Sequence, residues 1–258
     1  MIEALFFDID GTLLSFDTHT IPESTLSALR TASEKGVRLF VATGRSKADT
    51  ACVRQIDFDG YITANGGYCF TSDGIVVHKS SFSRRSLDTL LGMLRTESFS
   101  VAMLTAEKWY CNSASDRVRA LSEMVELPVP TETDLEVLCE KEEIFGMCLY
   151  ADEEMERRIV ANMGGCSSIR WNDISADITP AGTDKAVGID KMLAHYGLDR
   201  NQAMAFGDGG NDIPMLRHVA TGVAMGSASE QVRQAADYVT GDVDLNGIYD
   251  ALKHFNII

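Results

Sequence analysis

FFDIDGTLL, residues 6–14, carries a buried-looking apolar run into two carboxylates, Asp8 and Asp10, spaced one residue apart. Side chains alternate along a strand, so the two acids are expected on one face of its end. Like charges that close repel, and burial raises the cost. One reading is an Asp-rich turn after a strand, because Asp, Gly and Thr are ordinary turn residues. The other is a cation site, where a divalent ion cancels the repulsion and makes the pair useful.

Working outward, the same arrangement recurs. VRLFVA (37–42) runs into TGR (43–45), YITA (61–64) into Asn65 and Gly66, and QAMAFG (202–207) into GDGGND (207–212). Between them lie helical patterns. Pro22 opens one with Leu26, Leu29 and Ala32 inward, stopped by Gly36. A short one follows near 46–54. Thr183 is expected to cap another, with Ala186, Ile189, Met192 and Leu193 inward and Gly197 as its stop. Helices near 211–218, 228–235 and 246–254, with a short strand in VATGVAM, complete the end of the chain. Buried strands alternating with helices imply a parallel sheet. YCF and IVVHK, split by Ser72, Asp73 and Gly74, read as a hairpin.

The middle of the chain reads differently. Helices are predicted at 83–97, 115–126 and 153–162, with strands in FSVAML, KWYCNS, EIFGMCLY, SSIRW and SADIT. Paired strands with helices suggest an antiparallel α+β module. The expected organisation is an α/β core made of 1–81 and 182–258, with residues 82–181 inserted as a second domain.

Composition narrows the function. The formal charge of -15 over 258 residues, with no basic module in either part, argues against nucleic acid or an anionic membrane as partner. No apolar stretch approaches a membrane span. The opening MIEALFFDID lacks a basic region, so no signal peptide is expected. Six scattered cysteines with no C-x-x-C pair fit reduced thiols in the cytoplasm.

The polar clusters sit where ligands bind in open α/β sheets, outside the carboxyl ends of the strands. GDGGND is not a dinucleotide loop, since Asp208 sits inside it, and a dinucleotide-dependent oxidoreductase is disfavoured. Asn211 or Asp212 can cap the helix that follows, and Asp208 can serve a hard cation as a further carboxylate. Thr43, Gly44 and Arg45 offer a hydroxyl, an open backbone N–H and a charged fork suited to phosphate, although such a turn alone is common. Lys185 in the first turn of a helix is either a solvated surface group or a hint of a local anion.

DIDGT with Asp8 and Asp10, Thr43 in VATGR, Lys185, and GDGGND with Asp208 and Asp212 resemble, in order, the four motifs of the haloacid dehalogenase superfamily. The insertion and the ANGG turn resemble its Cof-type sugar-phosphate phosphatases. The resemblance implies a Rossmann-like core with an inserted cap. It implies that Asp8 attacks phosphorus and forms an aspartyl-phosphate, and that Asp10 is general acid, then general base. Magnesium would be held by Asp8, the Asp10 backbone carbonyl and Asp208. Thr43 and Lys185 would hold phosphoryl oxygens, Gly44, Arg45, Asn65, Gly66 and Asn211 would face substrate, and Asp212 would orient its neighbours. Asp184, directly before Lys185, departs from the common pattern, and Gly188 is a milder departure. The implied substrate is a small phosphorylated sugar, and the implied state a monomer or weak homo-oligomer.

Trp109 and Trp171 can stack on a sugar, but core packing is the expected role of each. His19 and Asp17, in the polar stretch after the first motif, read as surface loop, and Asp177, in the stretch returning to the core, as a residue near the entrance. A phosphosugar mutase shares these motifs, and a non-enzymatic binding or regulatory protein is the further alternative. Asp8, Asp10 and Asp208, whose loss marks degenerate members, are all in place.

Overall fold

The computed structural model describes residues 1–125, 127–170 and 172–258, so Trp171 and Glu126, the expected last residue of a helix, lie outside the described residues. In chain order the elements begin with β1 (Ala4–Phe7), α1 (Glu23–Glu34), β2 (Arg38–Ala42), β3 (Gly60–Thr63), β4 (Tyr68–Thr71) and β5 (Val76–Lys79). They continue with α2 (Arg84–Thr96), β6 (Ser100–Leu104), β7 (Trp109–Cys111), α3 (Asp116–Met124), β8 (Thr131–Glu132), α4 (Leu135–Lys141), β9 (Gly146–Tyr150) and α5 (Glu153–Met163). Then come β10 (Cys166–Ile169), β11 (Ala176–Pro180), α6 (Lys185–Tyr196), β12 (Ala203–Gly207), α7 (Ile213–His218), β13 (Thr221–Ala224), α8 (Glu230–Arg233), β14 (Tyr238–Val239) and α9 (Gly247–His254).

Two compact units emerge. The first comprises residues 1–45, 50–78 and 184–258, the second 46–49 and 79–183. In the first, an eight-stranded sheet runs β14-β13-β12-β1-β2-β3-β4-β5. The pairs from β14 to β3 are parallel, and β3 meets β4 antiparallel. A central parallel strand is covered on both faces, so it must be apolar throughout. β1 meets that condition: Leu5 and Phe7 enter one core with α1 and α9, and Ala4 and Phe6 enter the other with α6 and α7. Phe6 stacks on Phe40 of β2 at 4.7 Å, and Phe7 on Phe206 of β12 at 4.9 Å. The strand ends that carry the motifs therefore stand on a fully buried, aromatic-packed floor.

In the second unit, six strands run β10-β11-β9-β6-β7-β8. They pair antiparallel, apart from the parallel contact of β7 with β8. Alternation again divides the core. Val101 and Met103 face α2, α4 and α5, while Ala102 faces Val118 and Leu121 of α3. Trp109 packs, half-buried, against that α3 cluster, as core packing requires. Asp177 lies half-buried on β11.

Three local expectations change. Helix α4 was not foreseen: seven residues are too few to show a convincing period. Asp134 fixes its start by accepting from the N–H groups of Glu136 and Val137, and Leu135, Leu138 and Cys139 bury. The cap of α6 is Asp184, not Thr183. Asp184 accepts from Val187 N–H at 2.9 Å, while the Thr183 hydroxyl shares a 2.6 Å hydrogen bond with Ser80. Lastly, β1 ends at Phe7, so Asp8 and Asp10 do not share a strand face. The chain turns at once, and the Ile9 carbonyl accepts from the N–H groups of Thr12, Leu13 and Leu14.

Candidate active site

Four neighbouring strands of the first unit, β12, β1, β2 and β3, deliver their carboxyl ends to one place. Asp8 continues β1, its N–H still donating to Phe206 O of β12. Thr43 continues β2, its N–H donating to Ile62 O of β3. Asn65 follows β3, and its N–H donates to Thr43 O while that of Ala64 donates to Arg45 O. Asp208, Asn211 and Asp212 follow β12. Parallel register thus aligns motifs that are about two hundred residues apart in the chain.

Lys185, at the first position of α6, is fully buried. Its Nζ donates to Asp8 Oδ1 at 2.6 Å and to Asp212 Oδ1 at 2.5 Å. The surface-lysine alternative is excluded. Burial alone pulls an ammonium down, but Asp212 and Asp8 outweigh it and hold Lys185 above its ordinary range, so it is charged. Asp184 caps the helix, and its carbonyl lies against Gly66. A Cβ on Gly66 would fall 2.0 Å from that oxygen, so the 64–66 turn and the start of α6 meet backbone to backbone, with Gly188 behind them.

Asp212 does more than neutralise. Its Oδ2 accepts from the N–H groups of Asp208 (3.0 Å) and Gly209 (2.9 Å), folding the GDGGND loop around itself rather than capping α7. Asp208 in turn accepts at Oδ1 from the Thr12 hydroxyl at 3.1 Å. Asp10 stands apart from this cluster. Arg45 grips it with two bonds, Nε to Oδ2 at 2.9 Å and Nη2 to Oδ1 at 2.6 Å. Arg45 N–H also donates to the buried Thr43 hydroxyl oxygen at 3.1 Å. Asn211 donates through Nδ2 to Asn65 Oδ1 at 3.0 Å, linking the β12 and β3 loops. Gly44 lies against the same Asn65 amide, 3.1 Å from where a Cβ would stand. Ala64 and Asn65 both hold left-handed φ, 52° and 51°, a strained run of the kind that collects at functional sites.

The electrostatics leave a surplus of negative charge. Four carboxylates face one ammonium and one guanidinium. Burial pushes Asp8 well above the ordinary carboxylate range, with Asp212, Asp208 and Asp10 adding and Lys185 opposing. Burial and Asp212 push Asp208 to about 7, against the Thr12 bond and Lys185. Carboxylate oxygens of Asp8, Asp208 and Asp212 lie within 4.8 Å of one another. An all-oxygen donor set with uncompensated charge fits a hard divalent cation. Both Asp212 oxygens are already engaged, so Asp8 and Asp208 are the better-placed ligands.

Sequence reasoning overlooked two residues here. Thr12 lies inside the first motif, but its partner is 196 residues away and no local signal names it. Phe16 was passed over inside a polar stretch. It is exposed and borders Gly11 and Asp208, whereas its neighbours His19 and Asp17 lie in the exposed loop as expected.

Residues 5–252 match the family model of haloacid dehalogenase-like hydrolases. Among solved structures, BT1666 from Bacteroides thetaiotaomicron, described among phosphatases of the haloalkanoate (HAD) enzyme superfamily, superposes with a TM-score of 0.93 at 40% identity, over 100% of this chain and 96% of that one. The HAD subclass IIB sugar phosphatase BT4131 gives 0.87 at 39% identity, over 99% and 100%. An HMP-PP phosphatase of Yersinia pestis (strain Pestoides F) is 26% identical over 264 residues, 96% of this chain and 93% of its own.

Proposed function

From the premise that the chain belongs to the haloacid dehalogenase-like hydrolases and is a phosphatase, we propose that it is a magnesium-dependent phosphomonoesterase for small phosphorylated sugars, working through an aspartyl-phosphate. The observation that carries this reading is Lys185, buried between Asp8 and Asp212 while Arg45 holds Asp10 apart. Two carboxylates in different environments can take different roles.

Asp8 is the nucleophile. Its oxygen bonds to phosphorus as the ester P–O bond breaks, and Asp10 gives the leaving alkoxide a proton. Asp10 then takes a proton from water, which attacks the aspartyl-phosphate and releases inorganic phosphate and free Asp8. Lys185 opposes the protonation of Asp8 and, with Thr43, meets the phosphoryl oxygens. Arg45 fixes the orientation of Asp10. Asp212 holds Lys185 and the Asp208 loop, and the Asn211–Asn65 bridge holds the far side. Magnesium, held by Asp8, the Asp10 carbonyl and Asp208, would supply the positive charge that keeps these acids ionised and draws in a phosphate.

We assign the second unit the part of the inserted cap, and with it chiefly the choice of leaving group. Similarity to a sugar phosphatase supports the substrate class, and similarity to an HMP-PP phosphatase makes that ester a necessary comparison. Six scattered cysteines with no C-x-x-C pair support a cytoplasmic setting, and among the described residues no helix is long and apolar enough to cross a membrane.

The test is phosphate release from sugar phosphates, HMP-PP, nucleotides and aryl phosphates, with magnesium or chelator, for wild type and Asp8→Asn. Release that needs magnesium and vanishes in the variant is expected. Turnover that survives Asp8→Asn would sink the covalent mechanism, and a flat response to chelator would remove the metal.

A further inference from the structure

Of the eleven phenylalanines, all within the described residues, Phe16 alone is exposed, at 63%. It is not on a loose strand of chain. The preceding Ser15 is buried, and its hydroxyl accepts from the N–H groups of Asp17 (3.0 Å) and Thr18 (3.1 Å) and donates to Asp244 Oδ2 (2.7 Å). Ser15 N–H donates to Thr20 O, and His19 N–H returns to Ser15 O. The loop that carries the ring is thus closed on itself and tied to the 243–245 turn.

The ring lies at the carboxylate cluster. A Cβ built on Gly11 would stand 2.3 Å from Asp208 Oδ2 and 2.6 Å from Phe16 Cε2, so ring and carboxylate crowd one point. Gly11 has φ +73° and no side chain, and that is what lets both approach. The side chains that bond to one another at this place, Asp8, Asp10, Arg45, Lys185 and Asp208 among them, are polar or charged. Those groups can hold a phosphoryl group and its cation. They offer no apolar face to the alcohol part of an ester.

Resting on the phosphatase reading above, we propose that Phe16 is a specificity residue of the first unit that contacts the leaving group and favours phosphate esters of ring-shaped alcohols over short open-chain ones. The C–H face of a sugar ring or the face of a flat heteroring covers an aromatic ring well, whereas a small acyl or glyceryl group leaves most of it in water. The exposure of Phe16 without substrate is then the exposure of a binding surface.

The experiment compares kcat and KM for glucose 6-phosphate and p-nitrophenyl phosphate with those for glycerol 3-phosphate and acetyl phosphate. It uses wild type, Phe16→Ala, Phe16→Leu and Phe16→Tyr. The ratio of kcat/KM for a ring ester to that for acetyl phosphate is expected to fall roughly ten-fold in Phe16→Ala, mostly through KM. Phe16→Tyr is expected to restore the ratio, and Phe16→Leu to restore it only in part, having bulk but no face. An unchanged ratio, or equal recovery with Leu and Tyr, overturns the proposal while leaving the phosphatase reading intact. Absence of turnover by wild type on all four substrates overturns the phosphatase reading, and this proposal with it.

Discussion

Lys185 is a cation without solvent, and its environment sets what happens if it is removed. Asp8 and Asp212 each lie within 2.6 Å of its Nζ. A buried pair of this kind adds little net stability over apolar packing, but breaking it strands charge where water cannot reach. Lys185→Met is therefore expected to cost about 3–5 kcal/mol near neutral pH. The sign of its pH dependence follows from Asp8, which burial already raises and which Lys185 opposes. Without the lysine, Asp8 in the folded state binds a proton more readily than in the unfolded chain. Folded protein then holds more protons, so the variant gains stability as pH falls. Urea unfolding at about pH 5 and about pH 8 should show the gap to wild type narrowing at the lower pH. A gap of equal size at both would mean that the loss is one of packing, with no stranded carboxylate.

At the scale of elements, the decisive event is the turn that ends β1. Had the strand continued, Asp8 and Asp10 would share a face and a repulsion. Instead the backbone bends over Ile9, sending Asp8 to Lys185 and Asp10 to Arg45. Gly11 makes the bend possible and leaves room for the Asp208 carboxylate. Gly11→Ala is expected to cost about 1–3 kcal/mol in backbone strain and to displace Asp208. Its magnesium requirement should rise as stability falls. Thermal melts and magnesium titrations of activity check this, and an unshifted titration would detach Gly11 from the cation site. The strands themselves were legible because parallel, doubly covered strands must be continuous apolar runs, as LFF and LFVA are. The short helix at Leu135–Lys141 was not, since two turns show no clear period and its start depends on one cap. The placing of the motifs at strand ends was legible for the same reason as the strands. The partners of each acid were not: nothing near Asp10 points to Arg45, and nothing near Asp208 points to Thr12. Those pairings follow from which strands lie side by side, and local pattern does not encode that order.

For the molecule as a whole, charge is the governing quantity. The chain carries -15, and within that total its candidate site sets four carboxylates against two cations. A phosphate dianion is repelled by both fields unless a cation enters first, so the protein's long-range electrostatics and its local site make the same demand. The cost appears in stability. Asp208 rises to about 7 in the folded protein, from an ordinary carboxylate value of 3.8. A carboxylate raised on folding adds stability below its unfolded value and loses it as pH climbs through the folded one. The metal-free protein should therefore weaken between about pH 4 and pH 7 on account of this group. Magnesium binds the ionised form, so its effect on Tm should be small at about pH 5 and clear at about pH 8, a few degrees for each kcal/mol gained. Asp208→Asn should flatten the metal-free profile and abolish most of the magnesium shift. Calorimetric melts of both proteins in chelator and in magnesium, across that range, decide the point. A magnesium shift that is as large in Asp208→Asn as in wild type would place the cation elsewhere, and a shift that is largest at acid pH would reverse the sign on which the argument depends.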